Sequence, residues 1–216
     1  MIDPLNLILI LAVAALLPFI ATVATSYIKL SVVFLLLRNA LGVQQIPPNS
    51  ALNALAIILS GYIMTPVFYE TANIISAGNY RFDTVENISA TFNAAKGPLV
   101  TFLKSHADLK EKTFFLEAAS QLWPPAVRAT LTEDSLAVVL PAFTVSELRE
   151  AFEIGFLLYL PFIVIDLIVS NILLAMGMMM VSPLTISLPF KLFLFVMVDG
   201  WSRLILGLVT SYQITP

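Results

Sequence analysis

Five ionisable side chains lie within or beside long apolar runs of the sequence. They are Lys29, Asp166, Lys191, Asp199 and Arg203. A charge at the centre of a bilayer costs about 2.5 to 3.5 kcal/mol on translocon scales, so each of these groups needs a partner. We predict mainly a structural role, in which opposite charges join helices or subunits. A proton or ion relay is one alternative, and snorkelling of Lys191 and Arg203 to the membrane interface is another.

The spacing of these residues suggests particular partners. Asp199 precedes Arg203 by four residues, which is the favourable order for an ion pair within one helix. Asp166 has no base within helical reach on its own segment, so its partner must come from another helix, another subunit or water. Lys29 and Lys191 are the candidates. Neither aspartate lies in the tyrosine-aspartate or glycine-x-glycine-aspartate pattern of intramembrane aspartyl proteases.

Four of the seven methionines occur within five residues, Met176, Gly177, Met178, Met179 and Met180. Methionine side chains are flexible and polarizable, so they can close around an empty channel and yield to irregular cargo. Gly177 is expected to loosen the backbone between them. Packing at a helix end, or contact with lipid, explains the same run equally well. The residues alone therefore leave both interpretations open.

The composition indicates that the bilayer is the solvent of this chain. Of its 216 residues, 59% are hydrophobic and 12% are charged, and the mean hydropathy is +0.93. A soluble domain has about 25% charged residues. The net charge of −3 lacks the basic footprint of nucleic-acid binding. With no cysteine, a single histidine (His106) and no phosphate-binding glycine motif, we expect no metal, no cofactor and no nucleotide hydrolysis.

Four apolar segments are long enough to cross the hydrocarbon core, which takes about 20 residues. The first covers residues 4–37 and is predicted to be one helix or a helix kinked at Pro18. The others cover residues 51–75, 154–176 and 190–209. We therefore predict an all-α membrane protein whose four hydrophobic helices form two hairpins.

A polar region separates the two hairpins and is predicted to form a small helical subdomain outside the membrane. Asp108 and Glu111 make a capping box before a helix that should stop at Trp123. Thr144 and Glu147 make a second box, which predicts the start of the helix that leads into the third segment. The predicted divisions are residues 1–75 for the first hairpin, 76–146 for the polar subdomain and 147–216 for the second hairpin.

The positive-inside rule gives a weak orientation. Arg38 follows the first segment and Lys191 follows the third, so both short connections are predicted on the cytoplasmic side. The polar region 76–146 and both termini would then lie on the other, periplasmic, side.

The last third of the chain carries a recognisable block of motifs. It runs from Pro161-Phe162-Ile163-Val164-Ile165-Asp166-Leu167 through Ala175-Met176-Gly177-Met178-Met179-Met180-Val181-Ser182-Pro183 to Val198-Asp199-Gly200-Trp201. This block resembles the SctR/FliP family, the R component of type III secretion export apparatus. The similarity covers nearly the whole chain in order, and it is closer to the injectisome branch, of the SpaP type, than to the flagellar branch.

The resemblance implies a non-enzymatic subunit of the bacterial inner membrane. Family members form a ring of about five copies, which builds a closed helical cone with the S-type and T-type membrane subunits. Unfolded effector and needle proteins pass through the pore of this cone. The resemblance also implies that the methionine run forms a gasket around the pore, and that the helices are bent into hairpins and lifted above the bilayer.

A second class of function remains open at this point. A small secondary transporter or ion channel would use Asp166 as its relay, although such folds usually show internal repeats and glycine-broken helices, and neither is apparent here. An intramembrane enzyme would need a nucleophile or a metal constellation, and the sequence offers no recognisable one.

Overall fold

A computed structural model describes residues 4–78 and 85–213. Within these residues the regular secondary structure is entirely helical, which confirms the predicted all-α class. The helices are α1 (Pro4–Val23), α2 (Tyr27–Leu41), α3 (Asn49–Ala77), α4 (Val85–His106), α5 (Leu109–Leu122), α6 (Pro125–Arg128), α7 (Leu136–Ala175), α8 (Pro183–Met197) and α9 (Gly200–Thr210).

In the described part of the chain, α3 and α7 are each long and apolar enough to cross a membrane. The pair α8 and α9 would add a third span, bent by 60°. The 40 residues of α7 extend about 60 Å, twice the roughly 30 Å of a hydrocarbon core. A large part of α7 therefore has to lie outside the hydrocarbon or be strongly tilted. The arrangement of four helices as two hairpins stays a prediction.

The first apolar segment, predicted as one helix or a helix kinked at Pro18, is broken between α1 and α2, five residues after Pro18, which lies inside α1. The hydroxyl of Thr25 donates to the carbonyl of Ala21 and accepts the N–H of Tyr27 at 3.3 Å. It also accepts the hydroxyl of Ser60 at 3.0 Å. The Thr25 hydroxyl thereby forms hydrogen bonds with backbone groups at the end of α1 and the start of α2. These bonds compete with those of a continuous helix, so the helix ends there.

The helix predicted after Asp108 is confirmed. The Asp108 carboxylate accepts the N–H of Lys110 at 2.9 Å, as an N-cap does, and α5 ends one residue before Trp123. The N–H of Asp108 donates to the hydroxyl of the buried Ser146 at 2.9 Å. Ser146, 38 residues further along the chain, thus accepts the backbone N–H of Asp108, which the capping box had assigned to the Glu111 side chain.

The second predicted capping box is wrong, since α7 begins at Leu136 and Thr144 and Glu147 lie inside it. The Thr144 hydroxyl donates to the carbonyl of Leu140, one turn earlier in the same helix. Glu147 is completely buried in the protein interior, so its side chain does not cap the start of a helix.

The fourth apolar segment, predicted as one helix over residues 190–209, is also broken. Helix α8 begins at Pro183 and contains Pro189, and the chain then turns at Asp199, which has a φ of 52°. A Cβ on Gly200 would lie 2.2 Å from the ring of Phe195, so only glycine lets α9 begin this close to α8. The close approach fixes the 60° bend at this point of the sequence.

The chain divides into two compact units, residues 1–28 with 60–148 and residues 29–59 with 149–216. In the first unit the rings of Phe102 and Phe143 lie 5.8 Å apart in the core. In the second unit Leu37, Phe162 and Phe195 belong to a buried cluster against which Trp201 packs. All ten residues that the sequence singled out lie in the second unit. The predicted three-domain division stays a prediction, and its outer limits at residues 1 and 216 lie outside the described residues.

Candidate functional site

Asp166 on α7 and Lys191 on α8 form the central ion pair of the second unit. Lys191 Nζ lies 2.6 Å from Asp166 Oδ2 and donates to the carbonyl of Ala40 at 3.2 Å. The hydroxyl of Ser187 donates to Asp166 Oδ1 at 2.6 Å. The Lys191 side chain is 3% exposed and that of Asp166 is 38% exposed. Ser187 and Lys191 reach the same carboxylate because they lie four residues apart on one helix.

Gly42 lets the end of α2 approach this ion pair. It has a φ of 74°, and a Cβ there would lie 3.1 Å from Leu184 and 3.8 Å from Lys191 Nζ. The carbonyl of Ala40 can therefore reach the ammonium group. Both carboxylate oxygens of Asp166 and two donors of Lys191 are engaged, and this arrangement joins α2, α7 and α8.

Lys29, the other candidate partner of Asp166, pairs with Glu150. Lys29 Nζ lies 2.8 Å from Glu150 Oε2 and 4.0 Å from the centre of the Tyr212 ring, while the residue is 1% exposed. A carboxylate and an aromatic face together compensate a buried ammonium group. Sequence reasoning missed Glu150 and Tyr212, because no local spacing links them to a residue on α2.

Asp199 and Arg203 lie at the start of α9. Asp199 accepts the hydroxyl of Ser202 at 2.9 Å through Oδ1, and its carbonyl accepts the backbone N–H of Arg203 at 3.1 Å. In the described part of the chain, the predicted side-chain pair between Asp199 and Arg203 is not formed. The left-handed conformation of Asp199 takes it out of the helix on which the four-residue spacing depends. The Arg203 side chain is exposed.

The methionine segment, residues 176–180, follows the end of α7. Gly177 has a φ of 72° and donates its N–H to the carbonyl of Leu174 at 3.0 Å. The N–H of Met178 donates to the carbonyl of Leu173 at 2.9 Å. These two bonds make a Schellman motif, in which glycine ends a helix in a fixed geometry. Gly177 thus holds the backbone in a defined turn, whereas the sequence suggested a loosening effect.

The methionine side chains project from this turn. All four are exposed, from 45% at Met178 to 83% at Met179 and 101% at Met180. Four adjacent apolar side chains directed away from their own chain are available to line an opening, to contact lipid or to pack against another subunit.

Comparison with known proteins shows which family the chain belongs to. The family model for the FliP family matches residues 10–208. The chain belongs to the FliP family. The match includes all ten residues that the sequence singled out, and it confirms the resemblance inferred from the motif block of the last third.

Similar FliP-family proteins are known from several bacteria. The chain is 58% identical to the Yop proteins translocation protein R of Yersinia pestis, over 97% of each chain. It is 50% identical to the hypersensitivity response secretion protein HrcR of Ralstonia nicotianae, over 95% of this chain and 96% of that one. It is 46% identical to the virulence protein YscR of Salmonella typhimurium, over 98% of each. These names refer to protein translocation, secretion and virulence.

Proposed function

We propose that this FliP-family chain is a pore-forming core subunit, and not an enzyme, of a type III secretion export apparatus in the bacterial inner membrane. In this role it allows unfolded effector and needle proteins to cross that membrane. Membership of the family and the names of the similar proteins support the secretion role. The observation that carries the pore is the exposed methionine segment, which a Schellman motif holds at the end of the longest helix.

The gasket role is proposed for Met176, Gly177, Met178, Met179 and Met180. A closed gate needs side chains that can change shape to fill an opening, because the cargo proteins that pass through differ from one another. The same gate needs a backbone that stays in place when the cargo leaves. The flexible methionine side chains meet the first need, and the turn at Gly177 meets the second.

The proposed assembly is a ring of about five copies with the S-type and T-type membrane subunits. Its support is the apolar surface on α7, where Phe152, Phe156, Leu160, Ile163 and Leu167 follow one another at helical spacing and are all exposed. Lipid or neighbouring subunits have to cover such a stripe. We further propose that part of the chain projects above the bilayer on the periplasmic side, which accommodates the length of α7.

Within this assembly the charged residues are proposed to hold helices and subunits together. Lys29 and Lys191 are engaged within the second unit, whereas the side chain of Asp199 is exposed next to the bend between α8 and α9. A proton relay through Asp166, as a transporter would need, is less favoured. Lys191 and Ser187 occupy both of its oxygens and would first have to release them.

The test is native mass spectrometry of the detergent-extracted chain, first alone and then co-expressed with the S-type and T-type subunits. A ring of about five copies that takes up the partners is expected. A stable monomer or dimer that binds neither partner would contradict the proposal and favour the transporter.

A genetic experiment separates the same two functions in cells. Deletion of the gene should abolish secretion of all effectors and leave growth and solute uptake normal. A loss of solute uptake with secretion intact would favour the transporter, and a plasmid copy of the wild-type gene is the control for each phenotype.

A further inference from the structure

An apolar groove of about 610 Å³ lies in the second unit, between α7 on one side and the bend of α8 and α9 on the other. Its lining includes Ile154, Leu158 and Phe162 from α7 and Leu194, Phe195 and Leu204 from the bent pair. The volume lies within the usual range of sites for small organic ligands, about 300 to 1,000 Å³. The groove is separate from the methionine segment.

Arg203 is the charged residue among the described residues that line this groove. Its side chain is exposed, and within the described residues no carboxylate lies within 4 Å of its guanidinium group. The acid closest along the chain, Asp199, accepts the hydroxyl of Ser202. A guanidinium keeps its charge at every physiological pH, so in a membrane protein this group must reach water or bind an anion.

The α9 wall of the groove is smooth at Gly207. A Cβ on this glycine would meet no atom within 4 Å, so the space beside it is open. The opposite wall is the regular surface of α7. An aliphatic chain can lie along such a surface, because it needs no hydrogen-bond partner.

We infer that this groove binds an anionic phospholipid of the surrounding bilayer, with an acyl chain along the apolar lining and the phosphate on Arg203. One guanidinium beside an apolar surface matches one phosphate beside an acyl chain. A straight helix of another subunit fits less well, because one wall bends by 60° and a flexible chain can follow that bend. The inference rests on the proposed membrane location and does not depend on the pore.

The experiment uses the full chain reconstituted in vesicles of phosphatidylethanolamine and phosphatidylglycerol, extracted gently and weighed by native mass spectrometry. The protein is expected to retain phosphatidylglycerol with about a tenfold preference. Arg203→Gln should abolish the preference. Gly207→Leu should remove the bound lipid altogether, because its side chain occupies the groove and leucine is a better helix former than glycine.

Matched variants control for the mutations themselves. Gly61→Leu also places a leucine where a Cβ meets nothing within 4 Å, but on α3 and outside the groove. Arg128→Gln removes an arginine from α6, in the polar region. Both controls should retain lipid as the wild type does.

Two results with the Gly207→Leu variant would overturn the lipid site. Retention of the same lipid by Gly207→Leu would show that the lipid lies elsewhere. A Gly207→Leu variant that forms a smaller assembly than the wild type would show that the groove is an interface between copies of the chain. Flotation of the vesicles tests the lipid site and the membrane location separately. A protein that floats with the vesicles but retains no anionic lipid refutes the lipid site alone. A protein that does not float refutes the membrane location and, with it, the lipid site.

Discussion

At the scale of single residues, the second unit buries two lysines and leaves their carboxylates near the surface. Lys29 and Lys191 are almost fully buried, while Glu150 and Asp166 keep more than a third of their side-chain surface exposed. A buried ammonium group that loses its carboxylate keeps only a weaker partner, the Ala40 carbonyl for Lys191 or the Tyr212 ring for Lys29, whereas a carboxylate at the surface can turn to water. The two halves of each pair are therefore unequal in their effect on stability.

This asymmetry predicts that Asp166→Asn destabilises the protein more than Lys191→Met does. We expect Asp166→Asn to cost about 2 kcal/mol, below the roughly 3 to 5 kcal/mol of a fully buried pair because Asp166 is partly exposed. For a chain of this size that corresponds to a decrease in Tm of about 4 to 8 °C. Thermal unfolding of the detergent-purified variants measures it.

The matched control is Asp134→Asn, because Asp134 forms an equally short ion pair with Lys104 at 2.6 Å with both side chains exposed. It should change Tm by less than about 4 °C, since exposed pairs contribute under about 1 kcal/mol. The exchanged variant Asp166→Lys with Lys191→Asp should recover part of the loss seen on reversing either charge alone. No recovery, or equal losses from Asp166→Asn and Asp134→Asn, would refute the pair as a structural tie.

At the scale of helices, the end of α7 determines where the methionine side chains are presented. The Schellman motif needs a positive φ at Gly177, and residues with a Cβ adopt that conformation at a cost of about 1 to 2 kcal/mol. A Cβ at Gly177 would meet no atom within 4 Å. Any effect of alanine at this position is therefore conformational and not a matter of space.

Gly177→Ala is accordingly predicted to lower the stability by about 1 kcal/mol, and Gly177→Asn by less, because asparagine tolerates the left-handed conformation. Gly97→Ala is the control, since Gly97 lies inside α4 and its Cβ would also meet nothing. That variant should be neutral or more stable by up to about 1 kcal/mol, because alanine favours a helix interior. If Gly177→Ala behaved like Gly97→Ala in thermal unfolding, the positive φ would not be required.

The sequence predicted helices well where their signals were local. The N-cap at Asp108 and the stop at Trp123 depend on residues within one turn, and both are confirmed. The start predicted for α7 was wrong and the break after α1 was not predicted, because distant contacts decide both. Ser60 donates a hydrogen bond to Thr25 at the break, and Glu147 is buried inside α7.

The site shows the same division between local and distant information. Composition and spacing identified the charged residues and the methionines, but the partners depend on residues far apart in sequence. Glu150 pairs with Lys29 across 121 residues, and the ring of Tyr212 lies over the same ammonium group. The bend at Gly200 arises from its contact with Phe195, which no helical periodicity reveals.

At the scale of the whole molecule, the function depends on what covers the exposed apolar side chains. The exposed face of α7 and the methionine segment cannot both face water in a stable protein. In the proposed export gate, lipid and neighbouring subunits cover α7, and the methionines of all copies meet at the pore. Removing the methionine side chains should then affect the closed pore and leave the assembly unchanged.

We therefore predict that the triple variant Met178→Ala, Met179→Ala, Met180→Ala assembles normally and leaks ions. Alanine leaves the opening unfilled, so membrane conductance should rise several-fold in the absence of cargo, while native mass spectrometry shows unchanged copy number. Met197→Ala, which truncates an exposed methionine on α8, is the control and should not leak. Unchanged conductance in an assembled triple variant would remove the gasket role from residues 178–180 and leave their exposure to be explained by lipid or subunit contact.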